Sequence, residues 1–241
     1  MTSRLIKAIF FDFYNTIGKF DPSREELQMI ACKSFGISVT HQGIVKGYAK
    51  ADSYMAKQVS LKPLRAMNSV EFNEFFAEYQ SLILEGSGFN VDKNIALQIA
   101  SQLRSLPKGF ALFDDVLPVL EKLKQAGLKL GMVSNNEGDI DGLSKSLGLY
   151  GLLDVAINAE QAGRGKPYPE IFLEAMARVN VEPNESVYIG DQYETDIRGS
   201  RDVGMLPVLI DRDLNHPKYV SSARIETMHG ILELIRIWHS R

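Results

Sequence analysis

A run of apolar residues beginning at Ala8 leads directly to Asp12, after which the chain turns polar. A continuous apolar run of this kind is typical of a strand that is buried on both faces of a sheet. Open α/β sheets bind ligands at the carboxyl ends of their strands, so such a strand would deliver Asp12 to a binding crevice. An Asp at the end of a strand is also common as a turn or capping residue, and Asp12 alone leaves both interpretations open.

The composition excludes several classes of protein. The chain has 241 residues, 45% of them hydrophobic, and a formal net charge of −3, which gives no electrostatic footprint for nucleic acid. No segment approaches the ~20 apolar residues that a membrane-spanning helix needs, and the N-terminus lacks the apolar core of a signal peptide. Cys32 is the one cysteine, so no disulfide can form within the chain. We therefore expect a cytoplasmic protein that binds neither nucleic acid nor membrane.

The periodicity of the sequence divides the chain into two parts. Residues 20–106 have the apolar spacing of a small helical bundle, whereas residues 107–241 alternate strand and helix patterns. That alternation predicts an α/β fold with a doubly wound parallel sheet. We expect residues 1–19 and 107–241 to form this α/β core and residues 20–106 to form an inserted helical cap over the crevice.

The individual elements of the second part are well delimited by glycine, proline and apolar periodicity. Predicted strands cover 128–133, 154–157, 186–189 and 206–210, and predicted helices cover 116–126, 140–147, 169–179 and 230–239.

Four short segments place polar side chains at or just after predicted strands: Asp12 to Thr16, Ser134 with Asn135, Lys166 between Gly165 and Pro167, and Asp191 with Asp196. Each segment also has an ordinary explanation as turn chemistry, a solvated lysine or a helix cap. A hydroxyl and main-chain N–H groups after a strand can bind a phosphoryl oxygen, and an ammonium can balance the charge of a carboxylate and an anionic substrate. Two carboxylates five residues apart suit a hard cation, one as ligand and the other in support.

In their order and spacing, the four segments resemble the motifs of the haloacid dehalogenase (HAD) superfamily, and the helical insertion stands where that family has its cap. The resemblance implies that Asp12 is the nucleophile. It also implies that Mg²⁺ is held by Asp12, the main-chain carbonyl of Tyr14 and Asp191, with Asp196 in support. The substrate would be steered by the remaining polar groups of the motifs: Thr16, Ser134, Asn135 and Lys166.

Tyr14 departs from the phosphatases of this family, which have a second Asp at this position to protonate the leaving alcohol. A phenol with a pKa of ~10 is a poor base near neutrality, and the family's 2-haloacid dehalogenases resemble this chain in having Tyr here. Those dehalogenases, however, work without metal, have a hydroxyl residue at the Asp191 position and carry an Arg early in the cap. This chain keeps Asp191 and has no Arg between Arg24 and Arg65.

We therefore predict a HAD-like hydrolase that uses Mg²⁺ to hydrolyse a small phosphorylated metabolite through an aspartyl-phosphate at Asp12, with Tyr14 and Lys166 in catalytic positions. The first alternative is a metal-independent 2-haloacid dehalogenase. Others are a phosphonate-cleaving enzyme that uses a cap lysine and a catalytically degenerate binding module. The expected partner is a small anionic molecule, and both a monomer and a homodimer are compatible with the sequence.

Overall fold

The computed structural model describes residues 5–62, 64–136, 138–214 and 223–239. The chain divides into two compact units, one made of Met1–Lys19 with Phe110–Arg241 and the other of Phe20–Gly109. The second unit is thus inserted into the first shortly after the first strand. No helix among the described residues is long and apolar enough to cross a membrane.

The first unit is built on a six-stranded sheet in which every neighbouring pair of strands is parallel. The strands are β1 (Ala8–Phe11), β4 (Lys129–Ser134), β5 (Val155–Asn158), β6 (Ser186–Gly190), β7 (Leu206–Ile210) and β8 (Ala223–Ile225). Their order in the sheet is β5-β4-β1-β6-β7-β8, so β1 lies between β4 and β6. All four residues of β1 are buried, as its continuous apolar run predicts.

Helices of the first unit alternate with these strands. They are α5 (Val116–Gln125), α6 (Ile140–Ser146), α7 (Ala159–Ala162), α8 (Pro169–Val179), α9 (Arg198–Asp202) and α10 (His229–His239). Alternate side chains of β1 enter different clusters: Ile9 packs with residues of α5 and α10, and Phe10 packs with residues of α8. Helices therefore cover both faces of the sheet, and the predicted doubly wound α/β fold is confirmed.

The second unit is helical. Its helices are α1 (Arg24–Lys33), α2 (His41–Leu61), α3 (Ser69–Glu85) and α4 (Lys93–Ser105). The helix starts follow simple capping rules, because Ser23 and Asn68 each form a capping box with a glutamate three residues later, and Asp92 caps α4. The main contacts within the unit join α2 to α3 and α3 to α4.

Two short strands that the sequence analysis did not predict, β2 (Gly18–Asp21) and β3 (Gly109–Leu112), form a separate two-stranded sheet. The division between the two compact units falls within these strands. The inserted unit thus ends at Gly109, three residues beyond the boundary expected from the helical periodicity.

Candidate active site

The polar segments identified in the sequence gather at the carboxyl ends of three neighbouring strands. Asp12 directly follows β1, Ser134 is the last residue of β4, and Asp191 directly follows β6. Because the sheet is parallel and β1 lies between β4 and β6, these three positions share one edge. The N–H of Asp12 donates to the carbonyl of Ile189 at 2.8 Å, which continues the pairing of β1 and β6 to the end of the strand.

Lys166 is the centre of the site. Its Nζ lies 2.5 Å from Oδ1 of Asp12 and 2.7 Å from Oδ1 of Asp196. All three side chains are buried, with exposed fractions of 3% for Lys166, 10% for Asp12 and 1% for Asp196. Buried ions are stable only when they are paired and hydrogen-bonded, so this lysine cannot be a solvated surface residue.

The main chain of Lys166 is held by the side chain of Asn135. The amide oxygen of Asn135 accepts a hydrogen bond from the Lys166 N–H at 2.7 Å, and its Nδ2 donates to the Lys166 carbonyl at 3.0 Å. Gly165 permits this approach, because a Cβ at that position would lie 2.5 Å from the same amide oxygen. The sequence analysis expects Asn135 at the substrate, whereas its side-chain amide here binds the segment that carries the lysine.

Ser134 has a local hydrogen bond of its own. The residue is buried, and its Oγ accepts a hydrogen bond from the N–H of Asn136 at 3.1 Å. This bond orients the hydroxyl at the end of β4, in the turn that follows the strand.

Three carboxylates form an acidic cluster. Asp12, Asp191 and Asp196 each offer an oxygen atom, and these atoms lie within 4.8 Å of one another. Oδ1 of Asp191 is buried and has no hydrogen-bond partner among the described residues, whereas Asp196 accepts from Lys166 and, through Oδ2, from the N–H of Gln192 at 3.0 Å. A buried carboxylate oxygen without a donor is costly unless a cation or a proton satisfies it.

The pKa values and the net charge of the acidic cluster also favour a bound cation. Burial raises the pKa of Asp12 to about 6, against the opposing effect of Lys166. Burial, together with the charges of Asp12 and Asp196, raises the pKa of Asp191 to about 7. Burial alone would lower the pKa of Lys166, but the charge of Asp12 prevails and the pKa lies well above its usual value. The three carboxylates outnumber the single ammonium, so the cluster retains excess negative charge and suits a divalent cation.

Tyr14 and Thr16 lie in the tight loop between β1 and β2. The side chain of Tyr14 is partly buried and packs against the main apolar core. Thr16 is completely buried, and its Oγ1 has no hydrogen-bond partner within the described part of the chain. Thr16 is therefore an inner residue of the loop in this structure, and its expected contact with substrate stays a prediction.

Two further residues at the site were given no role by the sequence analysis. Tyr188 is fully buried in β6, with its ring centroid 5.6 Å from Nζ of Lys166 and its hydroxyl donating to the carbonyl of Val133 at 3.1 Å. Gly190 ends β6, where any Cβ would collide with the carboxylate of Asp196. A tyrosine inside a buried strand and a glycine directly before Asp191 are the signals that could have identified them.

Comparisons with known proteins agree with this geometry. The family model described as haloacid dehalogenase-like hydrolase matches residues 6–204. A glyceraldehyde 3-phosphate phosphatase of Methanopyrus kandleri is 27% identical over 216 residues, which cover 86% of this chain and 85% of that protein.

Two solved structures resemble the whole chain. A HAD hydrolase of Bacillus subtilis, crystallised with magnesium, has a TM-score of 0.65 at 18% identity, with 96% of this chain and 99% of that chain covered. A 2-haloacid dehalogenase from Pseudomonas syringae has a TM-score of 0.54 at 22% identity, with 97% and 100% covered. At these identities the likeness shows the fold alone, and the HAD hydrolase and the 2-haloacid dehalogenase both have this fold.

Proposed function

Since the chain belongs to the haloacid dehalogenase-like hydrolase family, we propose that this enzyme is a phosphatase that uses Mg²⁺ and Asp12 to hydrolyse a small phosphorylated metabolite. The observation that carries the proposal is the buried Asp12–Lys166–Asp196 network beside an oxygen of Asp191 that has no hydrogen-bond partner in the described part of the chain. The M. kandleri phosphatase, which matches over most of both chains, supports the same reaction class.

The residues present fit a divalent cation. We infer that Asp12, Asp191 and the main-chain carbonyl of Tyr14 would hold Mg²⁺. Asp196 would act in support, because both of its oxygens already accept hydrogen bonds. Mg²⁺ is commonly bound by one or two carboxylates and keeps several waters, which agrees with this small set. When bound, the ion would neutralise phosphate charge that otherwise repels an attacking carboxylate.

Asp12 is the proposed nucleophile, and Lys166 is its partner. A carboxylate oxygen of Asp12 would form a bond to phosphorus while the bond from phosphorus to the ester oxygen breaks, and the departing oxygen would take a proton from water. A second water would then attack the phosphorus of the aspartyl-phosphate while the bond from phosphorus to the Asp12 oxygen breaks. One proton of this water would neutralise the hydroxide left by the first proton transfer, so that inorganic phosphate is released and the Asp12 carboxylate is restored. Lys166 would keep Asp12 ionised and in place and would attract the phosphoryl oxygens.

Tyr14 is the observation that favours a second candidate, a 2-haloacid dehalogenase. Displacement of a halide from carbon needs no proton on the leaving group, so a phenol in place of a carboxylate would cost that reaction nothing. The acidic cluster argues against this candidate, because a cation on Asp12 would withdraw electron density from the oxygen that must attack carbon. We therefore rank the phosphatase first.

The decisive experiment compares wild type with Asp12→Asn on a panel of small phosphate esters and short 2-haloacids, each with Mg²⁺ and with EDTA. We expect phosphate release that requires Mg²⁺ and is lost in Asp12→Asn. Asp141→Asn is the matched control, because Asp141 is exposed at the start of α6 and lies outside the acidic cluster. Halide release in EDTA would instead establish the dehalogenase, and phosphatase turnover retained by Asp12→Asn would overturn the role of Asp12.

A further inference from the structure

Arg212 lies in the turn after β7 and binds the loop that follows β1. Its Nε and Nη2 both donate to the carbonyl of Thr16, at 3.1 and 2.8 Å. Its Nη1 and Nη2 donate to the two carboxylate oxygens of Asp115, both at 3.0 Å. The guanidinium thus uses one edge for a main-chain carbonyl and another for a carboxylate, which a lysine ammonium could not reproduce.

Asp115, the carboxylate partner of Arg212, is itself held by a further hydrogen bond. Its Oδ2 accepts a hydrogen bond from the N–H of Met228 at 2.8 Å, and the exposed fraction of the side chain is 13% for both Asp115 and Arg212. The guanidinium also stacks 3.9 Å from the ring centroid of Phe113. Arg212 is therefore held on three sides while it binds Thr16, so it is a rigid support rather than a flexible surface side chain.

The loop that Arg212 binds has an uncommon conformation. The carbonyl of Phe13 accepts hydrogen bonds from the N–H groups of Thr16, Ile17 and Gly18, and Asn15 has a φ of 59°, in the left-handed region. Non-glycine residues in that region persist where surrounding contacts determine them. The two hydrogen bonds from Arg212 are such contacts, and they act on the residue directly after Asn15.

We propose that Arg212 is a positioning residue for the proposed metal site: it holds the loop from Asp12 to Gly18 so that Asp12 and the Tyr14 carbonyl can bind the cation together. The metal part of this inference rests on the proposed function. The part that concerns the loop conformation does not, and the two can be measured separately.

The test compares wild type, Arg212→Lys and Asp115→Asn, and the control variant is Arg224→Lys. Arg224 lies in the neighbouring strand β8 and pairs with Asp211 at 2.8 Å. Mg²⁺ binding is measured by calorimetry, and hydrogen exchange of the Asn15–Gly18 amides is measured in EDTA. Thermal unfolding of each variant reports loss of overall stability.

We expect Arg212→Lys to raise the Kd for Mg²⁺ about tenfold, the scale of losses when a residue that orients metal ligands is removed. At a Tm similar to that of Arg224→Lys, the Arg212→Lys variant should also show faster hydrogen exchange of the Asn15–Gly18 amides than Arg224→Lys does. Asp115→Asn should change both quantities in the same direction and serves alone if Arg212→Lys does not fold. Unchanged affinity and exchange in the folded variants would overturn the inference. If wild type binds no Mg²⁺, the proposed metal site fails and the exchange result alone decides whether Arg212 positions the loop.

Discussion

The ammonium of Lys166 lies 2.5 Å from a carboxylate oxygen of Asp12, and the two residues are 154 positions apart in the chain. The same ammonium binds Asp196. The ammonium of Lys166 therefore stabilises the ionised form of Asp12, the proposed nucleophile, and is itself bound to a second buried carboxylate.

Replacement of Lys166 by Met should abolish most activity and destabilise the protein. Two buried carboxylates would lose their shared cation, which typically costs about 3–5 kcal/mol, and the phosphoryl group would lose an electrostatic partner worth about 10²–10³ in kcat. Urea unfolding and steady-state kinetics measure the two effects, with Lys122→Met on the exposed face of α5 as control. A variant of wild-type stability and rate would contradict the central role of Lys166.

The contribution of Asp12 and Asp191 to the stability of the metal-free protein should fall as the pH rises from about 4 to about 7. In the folded state the pKa is about 6 for Asp12 and about 7 for Asp191, against a usual value of 3.8 for both. The folded protein therefore binds more protons than the unfolded chain in this window, so the stabilising contribution is complete below pH 4 and is lost as the pH passes both folded-state values. Thermal unfolding in EDTA measures this slope, and Mg²⁺ should stabilise more at pH 8 than at pH 5 because it binds the ionised carboxylates. A melting temperature in EDTA that climbs across the window, in wild type but not in Asp191→Asn, would refute the assignment.

Asp191→Asn should weaken Mg²⁺ activation while it stabilises the metal-free protein. The amide is neutral and removes a buried negative charge near Asp12 and Asp196, but it is a poorer ligand for a hard cation. We expect the Mg²⁺ concentration for half-maximal activity to rise about 10-fold or more and the melting temperature in EDTA at pH 8 to increase. Both quantities come from a Mg²⁺ titration of activity and a thermal scan, and indifference of the activity to both EDTA and this substitution would favour the dehalogenase.

Tyr14 should make the reaction rate depend steeply on the leaving group. Without a carboxylate to protonate the departing oxygen, alkyl phosphates lose about 10²–10⁴ of general-acid assistance, whereas aryl phosphates with acidic phenols lose little. Plots of log kcat/KM against leaving-group pKa measure the slope, and Tyr14→Asp should flatten it by accelerating the alkyl esters. A flat slope in wild type would mean that another group supplies the proton.

Asn135→Ala separates two roles of this residue. If its amide acts through the Lys166 main chain, kcat should fall about 10-fold while KM changes little, because loss of the two hydrogen bonds displaces the lysine rather than a substrate contact. A rise in KM at constant kcat would instead support the substrate contact that the sequence suggests. Steady-state kinetics on the best phosphate ester decide between the two.

The sequence was sufficient for the parts of the site that follow from strand order. Asp12, Ser134 and Asp191 each lie at or directly after the end of a recognisable apolar strand, and parallel pairing alone brings such ends together. The strand Leu206–Ile210 and the helix Pro169–Val179 agree with their predicted limits, because a proline or an abrupt change of periodicity marks each end. Local patterns of this kind require no knowledge of the rest of the chain.

What the sequence could not provide depends on contacts between distant residues. No periodicity indicates that the amide of Asn135 binds the main chain of Lys166, or that Arg212 reaches the carbonyl of Thr16. The strands β2 and β3 escaped prediction because each has only four residues and β2 contains lysine and aspartate. Pairing across an insertion, rather than local propensity, stabilises them.

The position of β1 in the middle of the sheet has a consequence for folding of the enzyme during its synthesis. Both of its neighbours, β4 and β6, follow the whole inserted helical unit in the chain, so a nascent polypeptide carries the apolar strand Ala8–Phe11 for a long time with no strand to pair with. Unpaired apolar segments of this kind are open to aggregation, and contacts over such sequence separations form slowly. In the proposed mechanism, catalytic competence is thus acquired only late in synthesis, and a translation product that stops before Lys166 would be inactive however well its helical part had folded.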